Sequence, residues 1–189
     1  MHEHPQTNPW KTHSSETKYD NPWIHVVEHQ VTNPTGGDGI YGVVQFKNIA
    51  IAVVPVDDEG YTWLVGQFRY CHDSYEWEVP EGGCPKNEDP AACAHRELKE
   101  ETGLSADRMQ AFLEMQLSNS TTNEISISYL ATQLTVGQSC PEPTEQLAVR
   151  RLPLSEAFAM VHRNEIRDAL SVATLLRLEA ALTKGELKL

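Results

Sequence analysis

Three glutamates, Glu97, Glu100 and Glu101, stand at i, i+3 and i+4 in the run Arg96-Glu-Leu-Lys-Glu-Glu-Thr-Gly-Leu104. On a helix that spacing puts three carboxylates on one flank, where like charges repel by about a few tenths of a kcal/mol per pair. Stability alone does not select such an arrangement. A hard divalent cation removes the repulsion, because carboxylate oxygens are the natural ligands of Mg²⁺ and Mn²⁺, and such ions in turn hold substrate phosphates. The pattern predicts a metal site for a diphosphate, with Mg²⁺ expected and Mn²⁺ able to substitute. The competing reading is a solvated acidic face, and the accompanying Gly82, Glu88 and Arg96 argue against it.

The segment carries its own helix signals. Asp89 and Pro90 read as an N-cap and a first helical residue, and Gly103 as the residue past the end, so a helix is expected from about Pro90 to Thr102. At 100° per residue Ala91, Ala94 and Leu98 share a narrow inward sector, while His95 and Lys99 meet water. Arg96 reads as a fixed counter-charge that orients a neighbouring carboxylate, Glu97 or Glu88.

The elements that must position this helix follow from pattern. Residues 1 to about 20 are polar and Pro/His-rich and are expected to be mobile at their start. Strands are expected at Trp23–Val31 and Tyr41–Phe46 around the turn Asn33–Gly39, at Ile49–Val56 and Tyr61–Arg69 around Asp57–Gly60, and at Trp77–Val79. Beyond the helix come strands Met109–Gln116 and Ile125–Leu134 around the loop Leu117–Asn123, and a last strand Leu147–Leu152. A helix Glu156–His162 capped at Ser155 and a longer one, Arg167–Lys184, close the chain. This order predicts an α/β fold, an α/β/α sandwich around a mixed β-sheet with an N-terminal strand appendage. Residues 1–46 are read as the tail and appendage, and 47–189 as the catalytic domain.

A chain of 189 residues suits one substantial core. Its 15 basic and 27 acidic residues give a net charge of −12, which repels polyanions and excludes long nucleic acid as a partner. A small anion carried with a divalent cation remains acceptable. No apolar run reaches the ~20 residues a membrane span needs, and Met1 to Asn21 has no apolar leader core. Cys71, Cys84, Cys93 and Cys140 show no close repeated spacing, so four free thiols in the cytoplasm are expected.

From Gly82 through Glu88 to Arg96-Glu97-Leu98-x-Glu100-Glu101-x-Gly103-Leu104, the chain resembles the signature of the Nudix hydrolases at every specified position. Seven fixed residue types at about 7% each arise together roughly once in 10⁸ starting points. The looser motifs Tyr41-Gly-Val-Val44, Trp63-Leu-Val-Gly-Gln-Phe-Arg69 and Trp77-Glu-Val-Pro-Glu-Gly82 resemble the ADP-ribose pyrophosphatase branch, which includes nucleoside diphosphate sugar hydrolases; this likeness runs from about Trp23 to Leu182. The resemblance implies the Nudix sandwich, metal-dependent cleavage of a nucleotide sugar to a nucleoside monophosphate and a sugar phosphate, and a homodimer formed through the N-terminal strands.

It also implies residue roles. Glu97, Glu100, Glu101 and the backbone carbonyl of Glu81 hold the metal, and Arg69 and Glu78 line the substrate pocket. The general base lies on a loop before the last strand, where Glu142 and Glu145 are both available. Glu145 matches the alignment to Leu147 and Val149 better, and Glu142 sits between two prolines. Relatives often carry a proline about sixteen residues after the signature, whereas this chain has Leu117-Ser-Asn-Ser-Thr-Thr-Asn-Glu124. That departure widens the expected sugar range. Ser118, Asn119 and Glu124 are candidates to hydrogen-bond a terminal sugar, although a turn of this composition forms without a ligand. Competing functions are hydrolysis of dinucleoside polyphosphates or capped RNA ends, and non-catalytic sensing of nucleotide sugars.

Overall fold

The computed structural model describes residues 7–139 and 146–189. The chain divides into two compact units, Met1–Lys47 with Ser118–Glu124, and Asn48–Leu117 with Ile125–Leu189.

The first unit is an antiparallel sheet in the order β1-β2-β3, formed by β1 (Lys11–Asp20), β2 (Ile24–Thr32) and β3 (Asp38–Phe46). No strand was expected before Trp23, yet Lys11 to Asp20 pair with β2 from Lys11↔Thr32 to Asp20↔His25; the start of the chain, expected to be mobile, lies outside the described residues. Every residue of β1 is exposed, so the strand carries no apolar alternation from which it could be read. It is held by its ladder and by polar cross-strand pairs such as Ser15 with His29 and Thr17 with His25. The segment 118–124 is pinned to β3: the Tyr41 hydroxyl donates to Ser120 O at 2.6 Å, and the Phe46 amide donates to Asn123 Oδ1 at 2.7 Å.

The second unit is an α/β/α sandwich. A mixed sheet runs in the order β7-β4-β9-β8, built from β4 (Asn48–Pro55), β7 (Glu81–Pro85), β8 (Leu104–Gln116) and β9 (Ile125–Val136), with β4 and β9 parallel and the other pairs antiparallel. A smaller antiparallel sheet, β10-β5-β6, joins β5 (Tyr61–Arg69), β6 (Ser74–Glu78) and β10 (Ala148–Pro153). Helix α1 spans Pro90–Thr102, α2 Leu154–His162 and α3 Ala169–Thr183.

Period-two alternation in the central strands sorts residues to the two faces. Ile51 and Val53 of β4 and Tyr129 and Ala131 of β9 pack with Cys93, Ala94 and Leu98 of α1. Their neighbours Ala52, Val54 and Leu130 pack with Leu154, Ala157 and Met160 of α2 and Leu170, Leu175 and Leu178 of α3. Each large apolar side chain buried in these layers contributes about 1.5–3 kcal/mol. A buried polar contact on the second face, Ser128 with Thr174 at 2.7 Å, ties β9 to α3.

Packing and pairing move some elements away from where local pattern puts them. Helix α2 begins at Leu154, after Pro153 with no side-chain cap, rather than behind a Ser155 cap. The Leu154 amide is already satisfied by Gly60 O at 2.9 Å and its side chain is buried, so packing sets the start. Strand β7 was not expected, since its Gly-Gly sequence has no strand character; pairing with β4 from Asn48↔Pro85 to Ala52↔Glu81 imposes it. Among the described residues no helix is long and apolar enough to cross a membrane.

Candidate active site

Helix α1 starts and stops where its caps dictate. The Asp89 side chain accepts from the Ala91 amide, Pro90 occupies the first turn, and Gly103 ends the helix in the left-handed region at φ 75°. Ala94 and Leu98 face the core, and the same rotation carries Glu97 and Glu101 into the interior, at 8% and 2% exposure. Carboxylates so buried require partners.

Partners come from β7 and from α1 itself. The Glu81 amide donates to Glu101 Oε2 at 2.9 Å. The Glu97 carboxylate lies against Gly82 so closely that a Cβ there would overlap it. The Arg96 guanidinium donates to Gly83 O at 3.0 Å and pairs with Glu97 at 3.0 Å and with Glu100 at 3.6 Å. Of the two expected partners of Arg96, the structure therefore supplies Glu97, with Glu100 besides. Glu88 lies instead on an exposed turn, with its amide bonded to Pro85 O at 2.9 Å. The three helical glutamates are thus shared out: Arg96 draws Glu97 and Glu100, and the Glu81 amide holds Glu101.

A second set of carboxylates adjoins them. Arg69, at the end of β5, donates from Nε to both oxygens of Glu78 at 2.8 and 3.0 Å, and from Nη2 to Glu81 Oε1 at 2.7 Å. Asp168, the N-cap of α3, accepts from the Ser171 amide, and Ser171 Oγ accepts from the Val79 amide, so α3 is fastened to the Glu78–Glu81 segment. Among the described residues, Glu78, Glu81 and Asp168 are the acidic group whose ligand atoms all lie within 4.8 Å of one another. Burial raises the Glu81 carboxyl well above the ordinary carboxylate range, with the charges of Asp168 and Glu78 adding to the effect and Arg69 opposing it. Burial also works against the Arg69 charge, but its bonds to Glu78 and the charge of Glu81 prevail and hold the guanidinium above its usual range. Buried and half-buried carboxyl groups in excess of cations, all offering oxygen, form a donor environment that suits a hard divalent cation.

Asp168 was not singled out in the sequence. It precedes the apolar run Ala169–Leu182 as a capping residue would, but nothing local says that this cap lies beside Glu81.

Ser118, Asn119 and Glu124 belong to the first unit. The Ser118 carbonyl accepts from the Thr121 and Thr122 amides, and the Glu124 amide donates to Thr122 Oγ1, which is ordinary turn chemistry. Glu142 and Glu145 lie outside the described residues.

One expectation is overturned near the helix. Cys84 of β7 and Cys93 of α1 form a disulfide, so these two are not free thiols. Their separation along the chain carries no recognisable spacing, and only the packing of α1 on β7 brings them together. Among the described residues Cys71 is free and exposed, and Cys140 lies outside them.

Comparison with known proteins bears on this site. The chain matches the NUDIX domain over residues 46–175, and the N-terminal domain of nucleoside diphosphate sugar hydrolases over residues 10–44. It is 33% identical to an ADP-ribose pyrophosphatase of Mycobacterium tuberculosis over 179 residues, covering 92% of this chain and 85% of that protein. It is 31% identical to an ADP-ribose pyrophosphatase of Bacillus subtilis over 176 residues, covering 91% and 95%. A crystal structure of an ADP compounds hydrolase superposes with a TM-score of 0.84 at 20% identity, covering 97% of this chain and all of that one, which establishes the shared fold.

Proposed function

The chain belongs to the Nudix family of hydrolases, and from that premise we propose that it hydrolyses the diphosphate bond of a nucleoside diphosphate sugar, ADP-ribose or a related nucleotide sugar, to a nucleoside monophosphate and a sugar phosphate. The observation that carries the reading is the seating of two buried carboxylates of the signature helix, Glu101 on the Glu81 amide and Glu97 against Gly82. The names of the relatives and of the matched N-terminal domain support the substrate class.

Glu97, Glu100, Glu101 and the Glu81 carbonyl would hold Mg²⁺, with Mn²⁺ as a substitute. Bound there, the metal supplies charge neutralisation at the phosphorus and an acidic water. The protein's own part is positional. Gly82, lacking a Cβ, leaves room for the Glu97 carboxylate, and Arg96 holds that carboxylate and Glu100. The proton of the attacking water goes to a carboxylate on the segment before β10, Glu145 in preference to Glu142. The net charge of −12 favours a small nucleotide over a capped RNA end.

We also propose a homodimer, with the segment before Phe46 as its interface. In the first unit Tyr19, Trp23 and Ile40 are exposed at 55%, 67% and 64%, and this exposed apolar surface supports an interface there. Light scattering tests this: a monomer at micromolar concentration overturns it. Cytoplasmic placement remains a proposal too, and rapid alkylation in intact cells tests it, since a cytoplasmic pool is kept reduced unless the disulfide is shielded.

The deciding experiment for the activity is a panel of nucleotide sugars and dinucleoside polyphosphates incubated with Mg²⁺ and with Mn²⁺, with products identified. Nucleoside monophosphate plus sugar phosphate is expected, abolished by EDTA and restored by Mg²⁺. Preferred cleavage of dinucleoside polyphosphates, or turnover in metal-free protein, overturns the reading.

A further inference from the structure

We propose that Arg69 and the side chain of Glu81 form a positioning pair: the guanidinium grips the Glu81 carboxyl and so sets the Glu81–Gly82 backbone on which Glu101 and Glu97 are seated. The inference rests on the metal-site reading above and assigns to this pair the order of that site. It gives Arg69 a role other than the expected contact with substrate.

Arg69 is committed inward. Its Nε is shared between the two oxygens of Glu78, and its Nη2 bridges Glu78 and Glu81. Glu78 is 2% exposed, so a phosphate that drew Arg69 away would strand a buried carboxylate with no water to replace the lost bonds. A planar fork can span two carboxylates in this way, and a point-charge ammonium cannot.

Glu81 passes the constraint on. Its side chain is held from β5 at 2.7 Å, while its own amide holds Glu101 at 2.9 Å and the next residue, Gly82, abuts the Glu97 carboxylate. One residue thus joins the Arg69 cluster to both helical glutamates. With the grip removed, the Glu81 side chain no longer fixes its Cα, and the two carboxylates lose a common seat. An outer contact that orients ligands in this way characteristically affects metal affinity by 10- to 100-fold.

The test measures Mn²⁺ binding by electron paramagnetic resonance without substrate, alongside KM and kcat at saturating metal and thermal melting. Glu81→Ala leaves the Arg69–Glu78 contact intact and is expected to weaken Mn²⁺ binding about tenfold or more, with KM changed less than about twofold. Glu81→Gln retains the oxygen that accepts from Arg69, and should restore affinity to within about threefold. Arg69→Lys should match Glu81→Ala, and the double variant should be no worse than Arg69→Lys, because the two act as one unit. Should Arg69→Lys fail to fold, the two Glu81 variants decide alone. A tenfold rise in KM with unchanged Mn²⁺ affinity in Arg69→Lys makes Arg69 a substrate ligand and overturns the proposal. Glu81→Gln as damaging as Glu81→Ala makes the carboxylate itself a metal ligand and overturns it equally, and so does unchanged affinity in Glu81→Ala. A wild-type protein that binds no Mn²⁺ overturns the metal reading itself, and this pair with it.

Discussion

The amide of Glu81 donates to Glu101 Oε2 at 2.9 Å, joining the strand that enters the signature to the last turn of its helix, twenty residues later in the chain. Glu101 is a buried anion with a fixed donor, which makes its charge separable from its position.

Glu101→Gln keeps an oxygen to accept from that amide while removing the charge, and Glu97→Gln does the same beside Gly82. Each is expected to lower turnover by about 10²-fold or more with the fold intact, because on the proposed reading a metal ligand loses its charge at constant volume. Steady-state kinetics with melting curves check this, and full activity in either variant would remove the metal-site assignment.

Gly82→Ala separates space from charge. The added Cβ overlaps the end of the flexible Glu97 side chain rather than backbone, so the carboxylate can swing away at small cost in stability. Melting should fall by no more than a few degrees while turnover drops by roughly 10-fold or more, since on the proposed reading the displaced carboxylate is a metal ligand. A large loss of stability with undiminished activity per folded molecule contradicts this account.

Stability of the metal-free protein should depend on pH through Glu81. Burial, reinforced by Asp168 and Glu78, raises its folded pKa above the ordinary 4.5. Below 4.5 the group is protonated in both states and contributes nothing. As pH rises beyond that value the unfolded chain releases the proton and the folded protein keeps it, so stability declines until the folded group also ionises. In EDTA, Glu81→Gln should therefore melt higher than wild type at pH 8 and equal to it near pH 4. Equal melting at both values rules the mechanism out.

The Cys84–Cys93 disulfide spans a sequence separation of 9 residues, which corresponds to about 2.5 kcal/mol from the restricted unfolded chain. Full reduction should lower Tm by about 5–10 °C in a protein of this size. Differential scanning calorimetry with thiol counting on the same samples checks it. Identical melting of oxidised and reduced protein would show that packing alone holds β7 to α1.

For the general base, Glu145→Gln is expected to reduce turnover by roughly 10²- to 10⁴-fold with substrate affinity little changed, and Glu142→Gln to be mild. Parallel kinetics settle the pair. The opposite pattern reverses the assignment, and mild losses in both move the base to Glu100 or Glu101.

What the sequence determined by itself is whatever short-range chemistry encodes. Asp89, Pro90 and Gly103 bound α1 at Pro90 and Thr102 because caps and left-handed turns are local, and helical periodicity alone placed Ala94 and Leu98 inward and the glutamates on one flank. The order of strands and helices, with the signature, was enough for the sandwich. Tertiary structure decided everything that depends on distant pairing. Strand β1 is polar on both faces and exists because β2 lies beside it; β7 is a Gly-Gly segment made into a strand by β4. The seat of Glu101 on the Glu81 amide, the closeness of Asp168 to Glu81, the turning of Arg69 toward Glu78 and the joining of Cys84 to Cys93 are likewise contacts between segments. None leaves a periodic trace, because residue type and spacing along the chain record local backbone preference, whereas these contacts arise only where packed layers bring separate segments within hydrogen-bonding or covalent reach.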